Sequence, residues 1–176
     1  MISYILALTV GALVLAVDQY TKYFIMTNFE LGQGTDFIKG VVDIVYIHNK
    51  GGAWGILEGH TWGLLAMTVI IMLVCIALLF KWGANNKLIF WAMSLVLFGG
   101  VGNLIDRIFR DGNVVDFLHF EFWPTFPVFN IADCAIVIGV ALLILYFAVD
   151  TAKELKSKMS HTPVKETQND DTNKDL

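Results

Sequence analysis

The chain has 176 residues, of which 56% are hydrophobic and 16% charged, with a mean hydropathy of +0.64. A water-soluble domain carries about a quarter charged residues, so this composition excludes an ordinary water-facing surface. The net charge of −4 removes any basic footprint for nucleic acid. Cys75 and Cys134 each lie inside an apolar run, which excludes a disulfide-built secreted scaffold. A polytopic membrane protein remains.

Four apolar runs reach the roughly 20 residues that a helix needs to cross a bilayer; they cover 2–24, 61–82, 88–109 and 131–149. The first has no basic leader and no small-residue cleavage site before Asp18, so it reads as an uncleaved span. The loop after it contains a β-branched run at 41–47, expected as a strand at the membrane surface. That run is flanked by turn-forming glycines: Gly32, Gly34 and Gly40 before it, Gly51, Gly52 and Gly55 after it. Residues 83–87 join the second and third spans into an antiparallel hairpin. Asp116 falls in the loop before the fourth span. From 150 onward 11 of 27 residues are charged, and 151–176 is expected to be a disordered cytoplasmic tail appended to a 1–150 membrane domain.

Ionisable groups inside spans cost about 2.5–3.5 kcal/mol each at a helix centre, so each needs a reason. Asp18 and Lys22 end span one, Asn103, Asp106 and Arg107 end span three, and Asn130 and Asp133 begin span four. Alternating crossings put all of them, together with Asn49 and Asp116, at one face of the membrane. Taken singly, each has a plain structural account. Asp18 and Lys22 form an i,i+4 ion pair, and Asn103 and Arg107 share that spacing. Asn130 and Asp133 match a helix cap with an acid in the first turn, and Asp116 can be a loop acid without a task. Together they form one polar cluster at one end of an otherwise apolar bundle.

Two acids in such a cluster suit peptide hydrolysis, in which one carboxylate deprotonates water while its neutral partner polarises the carbonyl. Ser3, Ser94, Ser157 and Ser160 lack a nucleophile-elbow context, and no histidine stands at helical spacing from Cys134. The four histidines show no ligand spacing, so neither a metal nor another cofactor is expected. The alternative from another class is a small proton-coupled transporter, which needs acids distributed through the bilayer depth.

Five segments carry a family resemblance: Asp18-Gln19-Tyr20-Thr21-Lys22, Asn49-Lys50-Gly51-Gly52-Ala53-Trp54, Gly102-Asn103-Leu104-Ile105-Asp106-Arg107, Val114-Val115-Asp116-Phe117 and Phe129-Asn130-Ile131-Ala132-Asp133. In this order and spacing the chain resembles the lipoprotein signal peptidases (signal peptidase II), bacterial membrane aspartic peptidases. The resemblance implies four transmembrane helices with a small extracytoplasmic β-rich cradle between spans one and two. It implies Asp116 and Asp133 as the catalytic pair, with Asn49, Asn103, Arg107 and Asn130 lining the site and Asp18, Lys22 and Asp106 in support. The implied substrate is a prolipoprotein signal peptide, cut on the amino side of a diacylglyceryl cysteine by a monomer in the bacterial cytoplasmic membrane. Gly52 and Trp54 depart from the family's Ala and Phe. Basic residues number five on each face; setting Lys22 and Arg107 aside as site residues leaves five against three and puts both termini in the cytoplasm.

Overall fold

The computed structural model describes residues 1–52, 59–83 and 85–160. Four helices are long and apolar enough to cross a membrane. In chain order the elements are α1 (Ile2–Asn28), β1 (Gly34–Ile38), β2 (Val42–Asn49), α2 (Thr61–Leu78), α3 (Lys87–Phe109), β3 (Val114–Phe120) and α4 (Ile131–Ser160). Helix α2 ends in a π-helical turn, Leu79–Gly83. The start of α3 is capped by Asn86, whose side-chain oxygen accepts from the Leu88 and Ile89 amides.

Helix α3 is the central one. It packs against α1, α2 and α4, and 56% of its apolar window is buried, against 17% for α1. Small residues let the backbones approach. A Cβ on Gly99 would stand 2.6 Å from the Ala132 carbonyl oxygen, and one on Gly139 would stand 2.7 Å from that of Ala92. Large apolar side chains on the outer faces, such as Ile70, Leu73, Ile144 and Leu145, stay exposed, as a lipid-facing surface requires.

At one end of the bundle the strands form a single antiparallel sheet in the order β1-β2-β3. Ile47 stands opposite Asp116, and Asn49 opposite Val114. Two consecutive left-handed residues, Asp111 (φ 51°) and Gly112 (φ 82°), reverse the chain directly after α3. Strand β3 therefore starts over the end of α3. An apolar cluster of Ile25, Tyr46, Val115 and Phe117 seats the sheet on the end of α1.

Three sequence expectations need correction. The cradle is not built from the first loop alone, because its third strand comes from the segment between spans three and four. Asp116 therefore sits on β3 rather than in a loop; the alternation of Val115, Phe117 and the residues around them was its signal. The expected strand at 41–47 runs instead from Val42 to Asn49, which carries Asn49 onto the sheet. The charged segment begins as helix, with α4 continuing to Ser160 and carrying a Glu154–Lys158 pair at 2.7 Å. Outside the bilayer polar helix formers continue a helix at no desolvation cost, so disorder from 151 does not hold for 151–160. Residues 161–176 and Trp54 lie outside the described residues.

The close α3–α4 crossing sets a test of packing. Gly99→Ala and Gly139→Ala should each lower stability by about 1–3 kcal/mol through overpacking against a backbone carbonyl, read as thermal unfolding in detergent.

Candidate active site

The site is built from a buried cation outward. Lys22 and Asp18, one turn apart on α1, are both fully buried. The Lys22 ammonium lies 2.9 Å from Asp18 Oδ2 and 3.0 Å from Asp106 Oδ2, and donates to Asn103 Oδ1 at 3.0 Å. Each carboxylate then reaches another element. Asp18 Oδ1 accepts the Ala132 amide at 2.9 Å, one of the free N–H groups at the start of α4. Asp106 Oδ2 accepts the Val115 amide of β3 at 3.0 Å, and its Oδ1 pairs with Arg110. Gln19 Nε2 lies within hydrogen-bond reach of Asp18, the Gly102 carbonyl and Asp106. One lysine and two acids thereby join α1, α3, β3 and α4.

On this base stand the two remaining acids. Asp116 is 1% exposed; its Oδ1 accepts from Asn130 Nδ2 at 2.6 Å and its Oδ2 from Asn49 Nδ2 at 2.8 Å. Asp133, in the first turn of α4, accepts from Asn103 Nδ2 at 2.7 Å and from the Asn130 amide at 3.1 Å. The Asp133 amide returns a bond to Asn130 Oδ1 at 3.0 Å. Asn130 and Asp133 thus form a reciprocal capping box at the start of α4, and the Asn130 side chain ties that cap to Asp116.

Both acids line one cleft of about 520 Å³. Its polar floor includes Asn49, Asn103 and Arg107, and its wall is apolar, with Phe120 and residues 126–129 on one side and Ile136, Val137 and Ile138 of α4 on the other. Val137 is 66% exposed toward lipid, so the cleft is bounded by a bilayer-facing surface. Burial, reinforced by the charge of Asp133, pushes the Asp116 carboxyl up to about 7, against the pull of the Asn49 and Asn130 hydrogen bonds.

The sequence-derived site residues converge, with two adjustments. Asn130 does not line the cleft; it is fully buried and braces Asp116 and Asp133 from behind. Arg107 takes no aspartate partner: Nη2 donates to the Gly51 carbonyl at 3.3 Å, and the buried Nε has no hydrogen-bond partner among the described residues. The arginine that pairs with Asp106 is Arg110, four residues on, a spacing that sequence reading passed over. Gln19, inside the first motif, was likewise missed. Among the aromatic residues on and after β3, Phe117 is core, Phe120 and Phe126 line the cleft, and Phe122 and Trp123 are exposed.

The raised carboxyl has a consequence for stability. Because folded Asp116 holds its proton up to about 7 and an unfolded aspartate only to about 3.9, the folded state binds the extra proton between those values. Its contribution therefore declines as pH rises from about 4 to about 7, by up to roughly 4 kcal/mol. Thermal unfolding should show that decline in the wild type and lose it in Asp116→Asn.

The same architecture occurs in known proteins. Residues 10–149 match the family model of signal peptidase (SPase) II. The chain is similar to a solved bacterial membrane enzyme structure determined by the in meso method at 2.3 Å resolution, with 36% identity, a TM-score of 0.77, and coverage of 84% of this chain and 90% of the other. A second, determined at 1.9 Å, shares 36% identity with a TM-score of 0.72 over 80% of this chain and 91% of its own. With the match spanning all four helices and the sheet, this chain belongs to the signal peptidase II family and is a multi-pass membrane protease.

Proposed function

We propose that the protein is an aspartic endopeptidase with Asp116 and Asp133 as its catalytic pair. The observation that supports this most directly is that the buried carboxylate of Asp116 and the half-buried one of Asp133 share one cleft and one bracing residue, Asn130. Two like charges this placed favour sharing a proton. The ionised member draws a proton from water as the water oxygen bonds to the scissile carbonyl carbon, while the protonated member gives its proton to the carbonyl oxygen. The resulting gem-diol returns one hydroxyl proton to that second carboxylate, the first passes its proton to the leaving nitrogen, and the C–N bond breaks. Asn49 and Asn103 hold the carboxylates in place, and the Nε of Arg107, without a partner among the described residues, is a donor for a substrate backbone carbonyl.

The substrate proposed is a prolipoprotein cut on the amino side of a diacylglyceryl cysteine. A polar floor beside a lipid-facing wall suits it: the peptide reaches the acids while the acyl chains remain in the bilayer. The basic-residue count, with Lys22 and Arg107 set aside, supports cytoplasmic termini and a site at the extracytoplasmic face. The buried ionisable groups gather at this one end of the helices, which gives a transbilayer proton relay no support.

Purified protein in detergent should cleave a diacylglyceryl-modified prolipoprotein, and Asp116→Asn and Asp133→Asn should each lower kcat by about a thousandfold or more while remaining folded. Near-wild-type turnover in either variant would remove that residue from the pair. A chelator and a serine-directed reagent, run alongside, should leave turnover unchanged. Cleavage of only an unlipidated peptide would keep the chemistry and overturn the substrate.

The pH profile is a separate expectation. With Asp116 pushed up to about 7, kcat/KM should fall as pH rises through that value and the pair loses its shared proton. Asn49→Ala removes a donor that favours the carboxylate form, so it should move this alkaline limb upward.

A further inference from the structure

The inner ion cluster bears on the chemistry through one amide. Asn103 Oδ1 accepts from two groups, Lys22 Nζ at 3.0 Å and Asn130 Nδ2 at 3.0 Å. An amide oxygen has two acceptor sites and its nitrogen only donates. With both sites filled by donors, the Asn103 side chain has a single orientation, in which Nδ2 donates to Asp133 Oδ1 at 2.7 Å. Lys22 itself is a donor-only group fixed by Asp18 and Asp106, so the orientation runs one way, from Lys22 to Asn103 to Asp133. Asp116 lies one amide further from Lys22: Asn130 Nδ2, which donates to the same Asn103 oxygen, also donates to Asp116 Oδ1, and the neutral amide of Asn49 holds its other oxygen.

Charge balance points the same way. The groups facing this cluster among the described residues are Asp18 and Lys22 from α1, Asp106 and Arg107 from α3, Arg110 just beyond it, Asp116 from β3 and Asp133 from α4. Tyr46 of β2 stands near Arg110, and Cys134 follows Asp133. Three cations therefore meet four carboxylates. In a low-dielectric site the arrangement is neutral when one carboxylate carries a proton. Asp133 also lies in the first turn of α4, where the helix dipole favours the anion.

We propose that Lys22 is a positioning residue of the catalytic pair: through Asn103 it makes Asp133 the ionised partner that takes the proton from water, and leaves Asp116 as the partner holding the shared proton. This rests on the aspartic-pair reading above and assigns the two roles within it.

The test removes the ammonium without stranding a buried charge. In Lys22→Met combined with Asp18→Asn, the Asp106 carboxylate keeps Arg110 as its partner, and the neutral amide introduced at position 18 keeps an oxygen for the Ala132 N–H. If Lys22 acts on the pair, this double variant should regain the thermal stability that Lys22→Met alone loses, yet keep kcat depressed by about tenfold or more with KM within about twofold. Compared with Asp18→Asn alone, the double variant should also show an acid limb moved upward, because the two differ only in the ammonium that orients Asn103 toward Asp133. A double variant with wild-type kcat and an unmoved acid limb overturns the proposal and reduces Lys22 to a structural tie.

A second measurement needs no change at Lys22. Carboxyl-carbon NMR of wild-type protein labelled at aspartate, with the pair assigned by comparison with Asp116→Asn and Asp133→Asn, should show at pH 6 a protonated Asp116 and an ionised Asp133. The reverse order overturns the assignment whether or not the double variant folds. Full turnover in Asp116→Asn or Asp133→Asn would instead defeat the pair itself, so the two failures are distinguishable.

Discussion

The structure depends on one ammonium placed between two carboxylates in the interior of a helix bundle. A lysine buried in this way would be strongly unfavourable alone, and removing one partner of a buried pair costs about 3–5 kcal/mol. Here each acid is also bonded to a backbone amide of a different element, Asp18 to the start of α4 and Asp106 to β3. The helices and the sheet thereby take their relative positions from a single polar knot. Gly102 shows how tight it is: a Cβ there would lie 2.7 Å from Asp18 Oδ2. The apolar surfaces alone, which are as well satisfied by lipid as by one another, would not define that arrangement.

The proposed catalytic pair and its bracing Asn49 are then distributed over three elements, two strands and a helix. Asp116 rides on a strand, Asp133 on the first turn of a helix, and Asn49 at the end of another strand. The sheet is short and lies at the end of the bundle, but its register sets Ile47 opposite Asp116 and thereby brings Asn49, two residues on, within 2.8 Å of that acid. Strand pairing does for this site what loop closure does in others: it fixes one acid against a bundle that holds the second.

Much of this was legible in the sequence because a membrane chain advertises its exceptions. Apolar runs mark the spans, and any charge near them stands out, so Asp18, Lys22, Asp106 and Arg107 could be grouped by span parity without knowledge of their contacts. Pairing partners were less accessible. Arg107 and Arg110 sit on the same helix end, and only the geometry shows that the second neutralises Asp106 while the first faces the cleft. Strand β3 was hidden because a seven-residue segment between two helices reads as loop until a partner strand about 70 residues earlier is known. The helical start of the charged tail was hidden for the opposite reason: composition reports on solubility, whereas local propensity and i,i+4 pairs decide whether a solvated segment stays helical.

Asn130 carries a further implication. Its backbone and side chain close the cap of α4 while the same amide braces Asp116, so the last helix cannot begin correctly without completing the active centre, and the centre cannot exist before that helix is in place. A chain still being threaded into the bilayer has its two acids on segments that have not met. On the proposed reading the two acids stay apart until the fourth helix is in place, so the order of insertion is also the order in which the centre is assembled.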